Sequence, residues 1–214
     1  MAVDDSYTKL LLHFDGNFTD ESGTVWTNST ACTTDATNKV FGSAGLYAPA
    51  AHCLMTTNAA LAVGTGDFTI DFRMKYVSGY SGVSSGASSG VGIFIQSDFI
   101  GLGNGGSFTA ITTSPGFIAG SFAHYALVRK SGTCYWFVNG MLKATTAVSD
   151  AINTASIAIN ARYGPGNNRG GAAYYDEFRF STTARWTSGF TPPSAAYNGA
   201  AVSAQKPQTM TGGM

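Results

Sequence analysis

Between residues 68 and 76 apolar and polar positions alternate: Phe68, Ile70, Phe72, Met74 and Tyr76 fall on one side of an extended chain, and Thr69, Asp71, Arg73 and Lys75 on the other. A period of two predicts a strand with one face in a core and the other in water. Residues 134–138 and 141–146 flank Asn139-Gly140, a pair that accepts the positive φ angles of a type I′ turn, so they predict a hairpin. Further strand-like runs lie at residues 9–14, 91–96, 99–102, 107–112, 124–130, 156–159 and 173–181, separated by Gly, Ser and Asn. No segment carries a helical period. Many short strands with frequent turns predict an all-β protein, two antiparallel sheets packed face to face.

Residues 78–90, rich in Ser and Gly, and residues 160–171 predict loops. After Pro192-Pro193 the periodicity stops and Ala, Ser, Gly and Gln dominate. The expected organisation is one domain over residues 1–193 and an extended C-terminal arm over residues 194–214. The arm is expected to bury Tyr197, Val202 and Met210 on a neighbouring subunit or a shell.

Charge narrows the function. Twelve basic and twelve acidic residues cancel, which argues against nucleic-acid binding by phosphate neutralisation. The longest apolar run near the start, Leu10 to Leu12, is far too short to insert in a membrane, and the polar, acidic first residues lack the pattern of a secretory signal. Cys32, Cys53 and Cys134 form no C-x-x-C pair and read as free buried thiols. His13, His52 and His124 are scattered and read as structural.

Only two glutamates occur, Glu21 and Glu177. Asp67 and Asp71 would stand about 13 Å apart along a strand, beyond the roughly 5–9.5 Å that glycoside hydrolysis requires. Adjacent Asp176 and Glu177 point to opposite faces, so no carboxylate pair supports a glycosidase. No nucleophile elbow or phosphate-binding loop is present. The expectation is a protein without catalytic residues. Tyr80, Tyr163 and Trp186 are candidates for stacking on sugar rings from loops; the alternative is that they pack the rim. In residues 174–180 the alternation groups Asp176 with Phe178 and Phe180, and a carboxylate facing a core needs a partner. On the residues alone that partner is a set of hydrogen-bond donors, or Arg179 or Arg185.

Several strings taken in order carry a family resemblance: residues 10–16 with 18–20 (LLLHFDG, FTD), 41–47 (FGSAGLY), 66–72 (GDFTIDF), 124–129 (HYALVR), 135–140, 175–179 (YDEFR), and 184–187 leading to 190–193. Together they resemble the laminin-G-like, concanavalin A-like jelly-roll family, in the version common among structural proteins of tailed bacteriophages. The resemblance implies a two-sheet antiparallel jelly-roll sandwich with one sheet available for glycans or proteins. It also implies a structural calcium held by the Asp176 side chain, a Gly45 carbonyl and Asp15 or its neighbour by carbonyl. One departure is Arg73, where the family often carries an aromatic.

The function expected on this basis is a non-enzymatic virion protein, assembled in the host cytoplasm. Capsid decoration comes first and a tail or fibre receptor-binding position second. The expected partners are the major capsid protein or tail proteins, and further copies of the chain. A carbohydrate-binding adhesin is the competing class, and glycan binding is compatible with both.

Overall fold

The computed structural model describes residues 5–29, 31–51, 54–86, 92–104, 107–162 and 170–197. Among these, the strands are β1 Thr8–Leu12, β2 Trp26–Asn28, β3 Thr33–Asp35, β4 Gly45–Ala48, β5 Leu54–Thr57, β6 Phe68–Ser78, β7 Gly82–Ser85 and β8 Gly92–Gln96. They continue with β9 Ile100–Asn104, β10 Ser107–Thr112, β11 Ala123–Lys130, β12 Thr133–Val138, β13 Met141–Ala147, β14 Ser156–Ile159 and β15 Ala172–Ser181. The described residues also contain a 3-10 turn, Ala59–Leu61, capped by the Asn58 side chain.

The strands form two antiparallel sheets. The first runs β13-β12-β11-β6-β15-β4-β3, with β1 also paired to β15; the second runs β10-β9-β8-β7-β14-β5-β2. Inward side chains of both, among them Phe68, Ile70, Phe72, Tyr125, Trp136, Tyr175, Phe178, Ile93, Ile95 and Ile157, make one core. This is the sandwich that the alternation predicts. Asn139 and Gly140 take φ of 50° and 75° and join β12 to β13 as the Asn-Gly signal requires. A Cβ on Gly140 would strike the Phe190 carbonyl. Gly140→Ala should therefore lower stability by about 1 kcal/mol or more, measured by urea unfolding.

The outward face of β6 is not wet. Thr69 and Asp71 are as fully buried as the core residues beside them. The chain after β15 lies across this face as a strap, with Trp186 and Phe190 packing on Ala126, Val128 and Phe137. Tyr197, expected on a neighbouring surface, is instead buried against its own sheet. Its hydroxyl donates to Asp71 Oδ2, its backbone N–H donates to Glu177 Oε2 at 2.8 Å, and the Arg179 guanidinium lies 3.8 Å from its ring centroid. Arg73 donates to the Pro193 carbonyl at 2.5 Å. Val202, Met210 and the rest of residues 198–214 lie outside the described residues.

Under the strap, Asp71 accepts from Arg179 Nε and Nη2, both at 3.0 Å, with His124 Nε2 at 3.4 Å. Burial alone would raise its pKa, but the Arg179 and His124 interactions hold it well below the usual carboxylate range. His13 Nδ1 meets Glu177 Oε1 at 2.8 Å, and that bond raises the imidazole pKa. Arg185 donates to Asp5 Oδ2 at 2.6 Å and to Thr8 Oγ1 at 2.9 Å, so both terminal segments are tied to the first sheet.

Candidate functional site

Asp176 does not face the core. A bulge between Asp176 and Arg179, centred on Glu177 with φ of 52°, inserts extra chain against β6. Tyr175 takes the inward position before the bulge and Phe178 the one after it, while Asp176 pairs with the outward-facing Arg73. Simple alternation across residues 174–180 fails because a bulge shifts the two-residue period. Asp176 is buried nevertheless, beneath residues 40–41: its Oδ2 accepts the backbone N–H groups of Val40 at 2.6 Å and Phe41 at 2.9 Å. Neither Arg179 nor Arg185 bonds it, since Asp71 and Asp5 hold those side chains.

The other oxygen, Asp176 Oδ1, is buried without a hydrogen-bond partner. Desolvation pushes the carboxyl up to about 6, against the pull of the two amides. Beside it, a Cβ on Gly45 would run into the carbonyl oxygens of Asn38 and Tyr175. An orphaned carboxylate oxygen near main-chain carbonyls, around a residue with no side chain, is a donor set of the kind a hard cation accepts. Asp15 is engaged elsewhere on the same loop. Its Oδ1 accepts from Ser43 N at 2.5 Å and Ala44 N at 3.1 Å, and its carbonyl accepts from Asn17 Nδ2.

Of the three aromatics proposed for stacking, Trp186 belongs to the strap. Its ring stacks on Phe190 at 3.9 Å and meets the edge of His124, so one face is committed to packing. Tyr80 is partly exposed, with the Arg162 guanidinium 3.3 Å from its ring centroid and Arg162 paired to Asp98 at 3.2 Å. Tyr163 lies outside the described residues. The structure thus separates Trp186 and Tyr80 onto different sheets.

The sequence reading missed a hollow of about 280 Å³ lined by Phe18, Thr19, Asp20, Thr24, Val25 and Trp26. It sits at the seam of the sandwich, where the Asp20–Leu12 bridge meets the first sheet and β2 edges the second. Trp26 is fixed on two sides: Nε1 donates to Asp20 Oδ2 at 2.8 Å, and the ring stands edge-on to Phe178 at 5.9 Å. Asp20 also accepts from Leu11 N and Ser22 N. Val25, 82% exposed, forms the outer lip. The available signal was Trp26 and Val25 in a stretch too polar and too short to read as core.

Comparison with known proteins places this geometry in a family. Residues 50–187 match the laminin G profile described as the concanavalin A-like lectin/glucanases superfamily, and the chain belongs to that superfamily. Comparison with curated protein sequences returned no match. Domain 4 of the extracellular arabinanase AbnA from Geobacillus stearothermophilus, solved in complex with arabinotriose, superposes with a TM-score of 0.64 at 12% identity, covering 84% of this chain and 94% of that domain. The binding domain of botulinum neurotoxin DC in complex with rat synaptotagmin II gives 0.60 at 19% identity, covering 86% and 49%. Botulinum neurotoxin type C, whose uptake into cells depends on two ganglioside molecules, gives 0.63 at 19%, covering 83% and 48%. The chain spans about half the length of the neurotoxin domains it matches. At these identities the likeness establishes the fold.

Proposed function

We propose that the chain is a non-catalytic carbohydrate-binding module. The observation that carries this reading is the aromatic-walled hollow at the sandwich seam, where Trp26 is held in place before any ligand arrives. A preformed hollow that sets aromatic and aliphatic groups beside the polar side chains of Thr19, Asp20 and Thr24 binds at a reduced ordering cost. Asp71, half of the carboxylate pair weighed in the sequence, is sealed under the strap, which supports binding without turnover. The arabinotriose-bound arabinanase domain and the ganglioside-dependent neurotoxin are relatives in fold whose ligands are of the proposed class.

Val25→Arg tests the site without disturbing the core, because Val25 is exposed. Saccharide binding measured by calorimetry or a glycan array should fall by about tenfold or more, at an unchanged melting temperature. Unaltered binding would remove the hollow from the proposal.

A virion location is the second part of the reading, with capsid or tail proteins as partners and further copies of the chain beside it. Both terminal segments are tied to the first sheet, through Arg185–Asp5 and through Tyr197–Glu177. Attachment through them would leave the second sheet facing outward. Mass spectrometry of purified particles should find the chain there, and its absence from them would refute this part. We also assign a structural calcium to Asp176 Oδ1 with the carbonyl oxygens around Gly45. The ion would neutralise a buried carboxylate and fix the loop of residues 38–45.

A further inference from the structure

The second sheet carries a wholly buried glutamine with no bonds to its side chain. In β8, Ile93 and Ile95 point into the core, so Phe94 and Gln96 point outward. Gln96 has no exposed surface, and neither its Oε1 nor its Nε2 has a hydrogen-bond partner. An amide left this way is destabilising, since both groups lose water and gain nothing. Packing does not require it: Phe94, on the same face of the same strand, shows that an apolar side chain is accepted in this layer.

The surroundings indicate what the amide serves. The chain leaving β14 folds back over this face, with the Ser84 hydroxyl donating to the Ala161 carbonyl at 2.8 Å. The next residue, Arg162, reaches Asp98 and lies over Tyr80. Gln96, which ends β8, is followed two residues later by Asp98 and is paired across the sheet with Gly82, itself two residues after Tyr80. The strand end that carries the enclosed amide therefore adjoins, through Gly82 and the turn after β8, the stretch where the Arg162 guanidinium joins Asp98 to the Tyr80 ring.

Resting on the carbohydrate-binding reading, we infer that this patch is a second saccharide subsite, separate from the seam hollow and selective for neutral sugars, with Arg162 as its movable cover. An amide offers one acceptor and two donors in a plane, matching a pair of neighbouring hydroxyls that each donate and accept. Asp98 adds an acceptor, Arg162 adds donors, and the Tyr80 ring becomes available for stacking once the guanidinium moves. The Arg162–Asp98 pair is partly solvent-exposed, the kind of ion pair that exchanges readily for other partners. Arginine and aspartate cancel in charge, which favours a neutral ligand over a carboxylated one.

The full chain is titrated with arabinotriose, maltotriose and lactose, and with sialyllactose as the acidic counterpart, following the side-chain amide resonances of Gln96 by NMR. A neutral oligosaccharide should shift those resonances. Gln96→Met keeps the length and removes the amide; it should melt at the same or a higher temperature yet bind that sugar about tenfold more weakly. Arg162→Ala and Tyr80→Ala should weaken the binding that moves the Gln96 resonances, whereas Val25→Arg should leave those shifts intact and remove only the binding at the seam hollow. A Gln96→Met protein that gains stability with unchanged affinity, or unmoved Gln96 resonances in a wild type that binds through Val25 alone, overturns the subsite and leaves the module. A wild type that binds none of these sugars overturns both.

Discussion

Asp71→Asn should cost about 3–5 kcal/mol of folding stability, because it leaves the Arg179 guanidinium in a buried site without its counter-charge. Asp71 is completely enclosed and receives Arg179 through two bonds, with His124 and the Tyr197 hydroxyl completing its shell. Such a loss is a large fraction of the roughly 5–15 kcal/mol that holds a domain folded. Asp67, one residue before β6, is the control. Its pair with Lys130 at 2.7 Å is solvent-exposed, so Asp67→Asn should cost no more than about 1 kcal/mol. Urea unfolding of the two variants gives the comparison directly. Equal losses would show that the strap does not isolate Asp71 from solvent.

The second large effect lies at Asp176 and depends on pH. Its folded-state pKa, about 6, stands above the ordinary 3.8, so between these values the folded chain keeps a proton that the unfolded chain has released. Stability from this group is therefore present in acid and lost as pH rises from about 4 to 6, by about 3 kcal/mol at 1.36 kcal/mol per unit. His124, whose pKa burial lowers, acts oppositely: it favours folding as pH rises toward 6.5. The difference between wild type and Asp176→Asn isolates the carboxyl. In chelator at pH 7 the Asn variant should be the more stable protein; with millimolar calcium the order should reverse, since the ion binds only the folded carboxylate. A variant whose stability relative to wild type is indifferent to calcium would leave Asp176 as a carboxyl bonded to the Val40 and Phe41 amides.

The parts of the fold visible in the sequence are those where period and turn chemistry agree. Residues 68–76 alternate cleanly, and Asn139-Gly140 fixes its hairpin by backbone conformation alone. β7 escaped because Gly82, Ser84 and Ser85 read as loop. They occupy a central strand because the Ser84 hydroxyl bonds the Ala161 carbonyl and Ser85 Oγ accepts from Ile93 N. The strap escaped because Trp186, Phe190 and Tyr197 are spaced without periodicity among Ser, Thr and Pro. A trace of it was present in β11, where His124, Tyr125, Ala126, Leu127 and Val128 leave no wet side, a pattern of strands covered on both faces. At the candidate sites, Tyr80 could be singled out by type, but Gln96 and Asp98 come from a second stretch of the chain and Arg162 from a third. Asp176 was legible as a carboxylate needing a partner; its facing was not, because nothing in YYDEFRF marks Glu177 as a bulge.

The place of β15 within the first sheet sets an order on biosynthesis. This strand pairs with β6 throughout, with β4 before the bulge and with β1 after it. Every strand of the second sheet precedes residue 160, whereas β1, β3 and β4 connect to the rest of the first sheet only through residues 172–181. A ribosome must therefore release nearly the whole domain before β1 and β4 find their neighbour. Until then their unpaired edges are open to other nascent chains. Translation that stalls before residue 172 should yield aggregates, and a slow codon stretch is better tolerated after β15 than anywhere between β4 and it.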